Sequence, residues 1–263
     1  MAPSDRIEGD IFARVDYRRL IAWPERIKRE APLLLKVLGR APLQSVLDLG
    51  CGPGEHSRFL CENGFRVLGI DRSPAMLEKA REEGCPSGLR FAEGDLTELE
   101  AVVHEPFGAA ISLGNTLPFL LDVDKMRCFL KGLASSLAPG GVFLLQILNY
   151  ERIFEKKLRH LPIKFIQGSE EGTETIFLRL MEPLGGGRVR FCPTTLKYCP
   201  GADEPLVVEN SRVVELKGWV KSELEELLGE AGFHPTQTLG DMQGGEYRAS
   251  ESTDLVIVAT LQV

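Results

Sequence analysis

Residues 46–60 read VLDLGCGPGEHSRFL, and their types and spacing suit the binding of a nucleotide-like ligand. An aliphatic run carries one acid, Asp48. Gly50, Gly52 and Gly54 follow at alternate positions, and a helical pattern opens near Glu55. A strand, a glycine-rich turn and a helix N-terminus let such a ligand lie against bare backbone. Without a Cβ, the three glycines let the main chain come close to it, and Cys51 between them is a further binding candidate. Two ligands compete for the turn. A dinucleotide needs G-x-G-x-x-G, with amides free to hold a pyrophosphate. Here the residue three after Gly52 is Glu55, a negative charge where the pyrophosphate would sit. Asp48 suits a cation. S-adenosylmethionine has an ammonium and a sulfonium and no phosphate, so D-x-G-x-G-x-G matches it better.

A second acid, Asp71, follows the next apolar run, 66–70. An acid there can accept hydrogen bonds from both ribose hydroxyls, as in dinucleotide folds. Arg72 either stacks near an adenine or is solvated. Met76 packs on the ligand or in the core. Asp48 orients the turn, reaches the ammonium through water, or acts as a cap.

The elements that must position these residues alternate. Strands are expected at 45–49, 66–70, 89–92, 109–113 and 142–148. Helices are expected at 55–63, closed by Gly64, at 74–84 with Ser73 as N-cap and Pro74 at the first position, and at 124–138. Pro139-Gly140-Gly141 reads as a tight turn. This order predicts an α/β fold, Rossmann-like and doubly wound, with helices on both faces of a mostly parallel sheet. Its ligand crevice lies at the carboxyl ends of the strands, where Asp48, Asp71, Asp95 and Asn115 all fall.

After Tyr150 the pattern changes. Residues 151–160 read as a short basic helix. Runs 175–181, 188–191 and 207–216 read as antiparallel strands, a β-rich insertion spanning 161–215. Ser222 with Glu225 suggests a capping box, opening a helix that ends at Ala231-Gly232. Runs 236–239 and 255–262 supply the last strands. Residues 40–160 and 216–263 then form the main domain, with 1–39 as a helical N-terminal lid.

The 263 residues carry a formal net charge of −7, which argues against a large nucleic-acid surface. No run of 18 apolar residues and no signal-peptide pattern is present, so a cytoplasmic protein away from the membrane is expected. The six cysteines lack C-x-x-C spacing and read as reduced thiols, and no metal site is expected.

VLDLGCGPGEHS resembles the first motif of class I S-adenosylmethionine-dependent methyltransferases. The resemblance continues through VLGIDRSPAMLEKARE, FAEGDLTEL, ISLGNTLPFL, LAPGGVFLLQILNYERI and the tail from Trp219, and is weakest over 163–215. It implies a seven-stranded sheet with an antiparallel last strand. Asp95 would accept a hydrogen bond from the adenine amino group, and the Leu96 amide would meet a ring nitrogen. Leu113-Gly114-Asn115-Thr116 would line the methyl-transfer channel. This segment is not N-P-P-Y or D-P-P-Y, so the chain looks closer to glycine and sarcosine N-methyltransferases than to amino-methylating DNA enzymes. Residues 17–26 resemble the lid of those enzymes, in which an aromatic residue and an arginine, here Trp23 and Arg26, close over the cofactor carboxylate.

Transfer from a sulfonium needs alignment and desolvation more than a strong base. None of the four histidines, His56, His104, His160 and His234, stands out as a base. That favours a nitrogen acceptor, or an already acidic oxygen or carbon, on a small-molecule substrate. Asn115 and Tyr150 are the candidate catalytic residues, and Tyr198 and Tyr247 are further pocket candidates. The run Lys156, Lys157, Arg159, His160, Lys164 is a solvated face or a rim attracting an acidic substrate. An RNA or protein methyltransferase, and a binding protein without turnover, are the alternatives. The oligomeric state is not encoded legibly.

Overall fold

The computed structural model describes residues 17–168 and 170–262. Two N-terminal helices come first, the short α1 (Tyr17–Leu20) and the longer α2 (Trp23–Leu38). The doubly wound unit follows as β1 (Ser45–Leu49), α3 (Glu55–Glu62), β2 (Arg66–Asp71), α4 (Pro74–Arg81), β3 (Leu89–Glu93), β4 (Phe107–Ser112), α5 (Val123–Ser136) and β5 (Leu137–Leu148). Helix α6 (Tyr150–Glu155) leads to a second sheet of β6 (Lys164–Gln167), β7 (Glu174–Pro183), β8 (Arg188–Tyr198), β9 (Leu206–Ser211) and β10 (Val214–Lys217). The chain then returns through α7 (Lys221–Glu230), β11 (Phe233–Leu239) and β12 (Asp254–Leu261).

The main sheet has seven strands in the order β11-β12-β5-β4-β1-β2-β3. β1 to β5 pair in parallel, and β12 runs antiparallel to both neighbours. Successive residues of a strand face opposite sides, so each strand feeds two cores. Leu47, Leu49, Phe143, Leu145, Leu255 and Ile257 pack against α5 and α7 through Phe129, Leu130, Leu133 and Leu227. Val46, Val67, Ala109, Leu144, Val256 and Val258 pack on the other face against Leu34, Val37 and Leu38 of α2 and Leu60 of α3. Asp48, Gln146 and Asp254 share the parity of this second set. They therefore point toward the face on which α2 lies.

The expected α/β architecture, the antiparallel strand and the β-rich insertion are present. Several boundaries differ. β5 begins at Leu137, because Pro139-Gly140-Gly141 forms an irregularity inside the strand, with a register shift opposite Phe107 and Ala109. α6 stops at Glu155; Lys157 takes a left-handed φ of 48°, and His160 bridges Leu180 in the second sheet. Run 188–191 extends to Tyr198, run 207–216 divides into β9 and β10, and β6 was not expected. Ser222 is not the cap of α7. Val220 donates its N–H to Glu223 at 3.1 Å, while Glu225 bonds Thr238 and pairs with Lys221. Among the described residues no helix is long and apolar enough to cross a membrane.

Candidate active site

A cavity of about 580 Å³ opens at the carboxyl ends of the parallel strands, covered by α2 and by one face of the second sheet. The glycine turn forms its floor. Cβ atoms built on the three glycines would meet different surroundings. At Gly50 it would overlap Thr116 at 2.3 Å, and at Gly54 it would overlap Phe91 at 2.6 Å. At Gly52, where φ is +54°, nothing lies within 4 Å. Only Gly52 therefore offers bare backbone to a ligand. Gly50 admits the loop after β4, and Gly54, which does not line the cavity, admits β3.

Asp71 holds this turn. Its Oδ2 accepts the Gly52 N–H at 2.8 Å and its Oδ1 accepts the Ser73 N–H at 2.9 Å. Ser73 caps α4 by accepting from Met76 N–H at 3.1 Å. Met76 itself is buried and also reaches the cavity wall. Asp95 caps a short 3₁₀ turn, accepting from both the Thr97 N–H and hydroxyl, yet lines the cavity beside Leu96. Burial alone would raise its carboxyl; the Thr97 bonds and Arg72 outweigh that and hold it below the usual range. Arg72 also lines the cavity, with its guanidinium 5.2 Å from the ring centre of Phe119.

Asp48 is 2% exposed, and Ser57 donates to it at 2.6 Å. Desolvation pushes its carboxyl up, partly offset by His56 and Ser57. Cys51 is buried beside it, and Leu113 closes the wall near Gly114. Glu55, the residue that disfavours a pyrophosphate, turns away to pair with Arg18 of α1 at 2.7 Å.

The cover is pinned by ionic contacts. In α2, Arg26 Nε donates to Glu30 at 2.9 Å, and the other Glu30 oxygen bonds His56 Nε2 at 2.7 Å. Burial alone would raise Glu30; His56 and Arg26 overcome it and hold the carboxyl low. Trp23 lies under the Arg26 guanidinium at 5.0 Å and edge-on to His56 at 5.5 Å. Both Arg26 terminal nitrogens lie toward Gly114, about 4 Å from where its Cβ would stand. Arg19 reaches across to Gln167 and Thr175 of the second sheet.

Asn115 has a left-handed φ of 70° and a side chain turned into the fold. Its Oδ1 accepts the Leu148 N–H at 3.0 Å, and its Nδ2 donates to the Tyr150 hydroxyl at 3.0 Å. Tyr150 is buried behind it and does not line the cavity, and burial raises its phenol. Tyr198 and Tyr247 do not line it either. Of the basic run, only Lys164 does.

Sequence reasoning missed Glu30, Gln146, Asp254, Phe119, Phe177 and Arg179, all of which line the cavity. Two carried a signal. Gln146 is a lone polar residue inside an apolar strand. Asp254 begins a strand that runs against the others, so its first residue shares the edge where β1 and β4 end.

Residues 46–141 match a family described as methyltransferase domain. A glycine/sarcosine N-methyltransferase from Halorhodospira halochloris is 36% identical over 138 residues, covering 52% of each chain. The chain thus spans about half the length of that relative. A glycine/sarcosine N-methyltransferase from Aphanothece halophytica is 29% identical over 85% of this chain and 79% of its own. An amino pentose methyltransferase from Micromonospora echinaspora, solved with S-adenosylmethionine bound, superposes with a TM-score of 0.70 at 24% identity, covering 93% of this chain and 94% of its own. The bare backbone at Gly52, the Asp71 carboxylate and the Arg26 guanidinium fit the aminoacyl ribose of that cofactor. Residues 46–141 thus form a methyltransferase domain, set in a doubly wound fold that the solved amino pentose methyltransferase shares.

Proposed function

We propose that the protein binds S-adenosylmethionine and methylates a nitrogen on a small anionic molecule. One observation carries the reading: a single cavity joins a nucleoside cradle to a cationic end. At the first end Asp71 takes the ribose, Asp95 and the Leu96 amide take the adenine, and Gly52, Asp48 and Arg26 take the aminoacyl part. At the other end Lys164 of β6 sits half-buried, with no hydrogen bond or ion pair to an acid among the described residues. Burial, and after it the charges of Arg179, Arg26 and Arg29, push its ammonium below the ordinary value. An anion would relieve that repulsion. The glycine and sarcosine N-methyltransferases among the relatives support a nitrogen acceptor of this kind.

When bound, the cofactor supplies an activated methyl on a sulfonium. The chain's residues orient it and exclude water. α2 covers the cavity, and residues 161–215 act as the substrate cover. Calorimetry with S-adenosylhomocysteine is the first test, with micromolar binding expected; no binding at millimolar ligand overturns the reading. Labelled-methyl transfer should then favour acidic amines over neutral ones.

A further inference from the structure

Asp254 enters the cavity from the side opposite Asp71, because β12 runs against the other strands. Gln146 Nε2 donates to Asp254 Oδ1 at 2.9 Å, while Gln146 Oε1 accepts the Gly114 N–H at 2.8 Å. The two bonds fix the amide and, through it, one carboxylate oxygen. Oδ2 makes no hydrogen bond to any described residue.

Four of the other five acids of the cavity are committed elsewhere, and the fifth, Glu25, is exposed on the first turn of α2. Both oxygens of Asp71 hold backbone amides. Both oxygens of Glu30 hold Arg26 and His56. Asp48 lies under the glycine turn against Ser57, and Asp95 caps a turn through Thr97. The charged groups that Asp254 feels are Arg26 and Glu30 from α2 and Asp241 from the loop after β11. Burial outweighs Gln146 and Arg26 and pushes its carboxyl up to about 6. Such a group is ionised at neutral pH yet basic enough to accept a proton.

We infer that Asp254 is the acceptor-nitrogen site: its Oδ2 binds the ammonium of the methyl acceptor and takes its proton, with Gln146 as the positioning residue. The inference rests on the methyltransferase reading. An N–H bond breaks, an O–H bond forms at Oδ2, and the electron pair stays on nitrogen. That pair forms the new N–C bond as the C–S bond breaks and its electrons pass to sulfur. The methylated ammonium leaves with the positive charge, and the carboxyl proton passes to water.

The test uses the full chain with ¹³C-labelled aspartate carboxyls, the Asp254 signal being assigned by its absence in Asp254→Asn and Asp254→Ser. Ethanolamine and sarcosine are the amine probes, and glycolate is the anion without an amine. Both amines should shift the Asp254 signal and lower its titration midpoint, and glycolate should not lower it. The variants should bind the amines roughly tenfold or more weakly, as for loss of one charged hydrogen bond, while binding S-adenosylhomocysteine as the unaltered chain does. An Asp254 signal that no amine moves overturns the inference, as do variants that bind amines undiminished. Failure of the unaltered chain to bind S-adenosylhomocysteine would instead overturn the methyltransferase reading. The amine titration of the free protein decides the role of Asp254 in either case.

Discussion

The two ends of the cavity are built on different principles. The Gly52 end is made of backbone, and residues close in sequence shape it: the turn after β1, the acid that ends β2 and the acid after β3. The Asp254 end is made of side chains brought from α2, β5, β6, β7 and β12. Backbone amides in a left-handed turn are fixed by local chemistry, whereas side chains from five elements are fixed only by the whole fold. The first end should therefore break sharply at single residues, and the second should change by degrees. Asp71→Ala gives the largest effect expected. It removes the acceptor of two backbone amides and the ribose partner together. Affinity for S-adenosylhomocysteine should fall by about 4 kcal/mol, roughly a thousandfold in Kd. A loss below tenfold by calorimetry would show that the turn holds its shape without Asp71.

The glycines sharpen the comparison within the backbone end. Gly54→Ala places a Cβ 2.6 Å from Phe91 at a φ of +82°. Left-handed strain and overpacking should together cost about 3 kcal/mol of stability in urea unfolding. Cofactor-product affinity of the folded fraction should change little. Gly52→Ala should do the reverse: it meets no atom, pays only the left-handed strain, and puts a methyl where the ligand lies. Equal binding losses at the two positions would mean that the spacing of the motif, and not the open space over Gly52, sets the site.

Legibility in the sequence follows the same division. The alternation of strands and helices, the glycine turn and the acids Asp71 and Asp95 were readable, because each is signalled within a few residues. The lid was readable only by resemblance. The sequence placed Trp23 and Arg26 there, but nothing in it shows that Glu30 carries Arg26 on one side and His56 on the other. Asn115 and Tyr150 were read as candidate catalytic residues; they bond one another, with Asn115 on the cavity wall and Tyr150 behind it. Asp254 was legible only through topology, by way of the antiparallel last strand that the resemblance implied. An acid at the start of a strand belongs to the far edge of a parallel sheet, and only the reversal of β12 moves it to the site.

That reversal leaves a signature in the pH dependence of stability. Asp254 has its carboxyl raised from 3.8 to about 6, with burial as the main cause. The folded state thus binds this proton more tightly than the unfolded state does. Below pH 4 the group is protonated in both states and costs nothing. Between pH 4 and 6 the unfolded chain ionises first, and the folded state loses relative stability. Above pH 6 the penalty is complete, an upper figure of about 3 kcal/mol for a shift of roughly two units and nearer 2 after partial exposure is allowed for. Asp254→Asn keeps an oxygen for Gln146 and removes the charge. The variant should match the unaltered protein near pH 4 and exceed it by about 2 kcal/mol at pH 8 in urea unfolding. At the backbone end, Asp71→Ala should bring no such gain, because it leaves the Gly52 and Ser73 N–H groups without their acceptor. If Asp254→Asn were destabilising at pH 8, the carboxylate would be a structural ion held by its neighbours. The two ends of the cavity would then differ in their origin along the chain but not in the energetic cost of their acids.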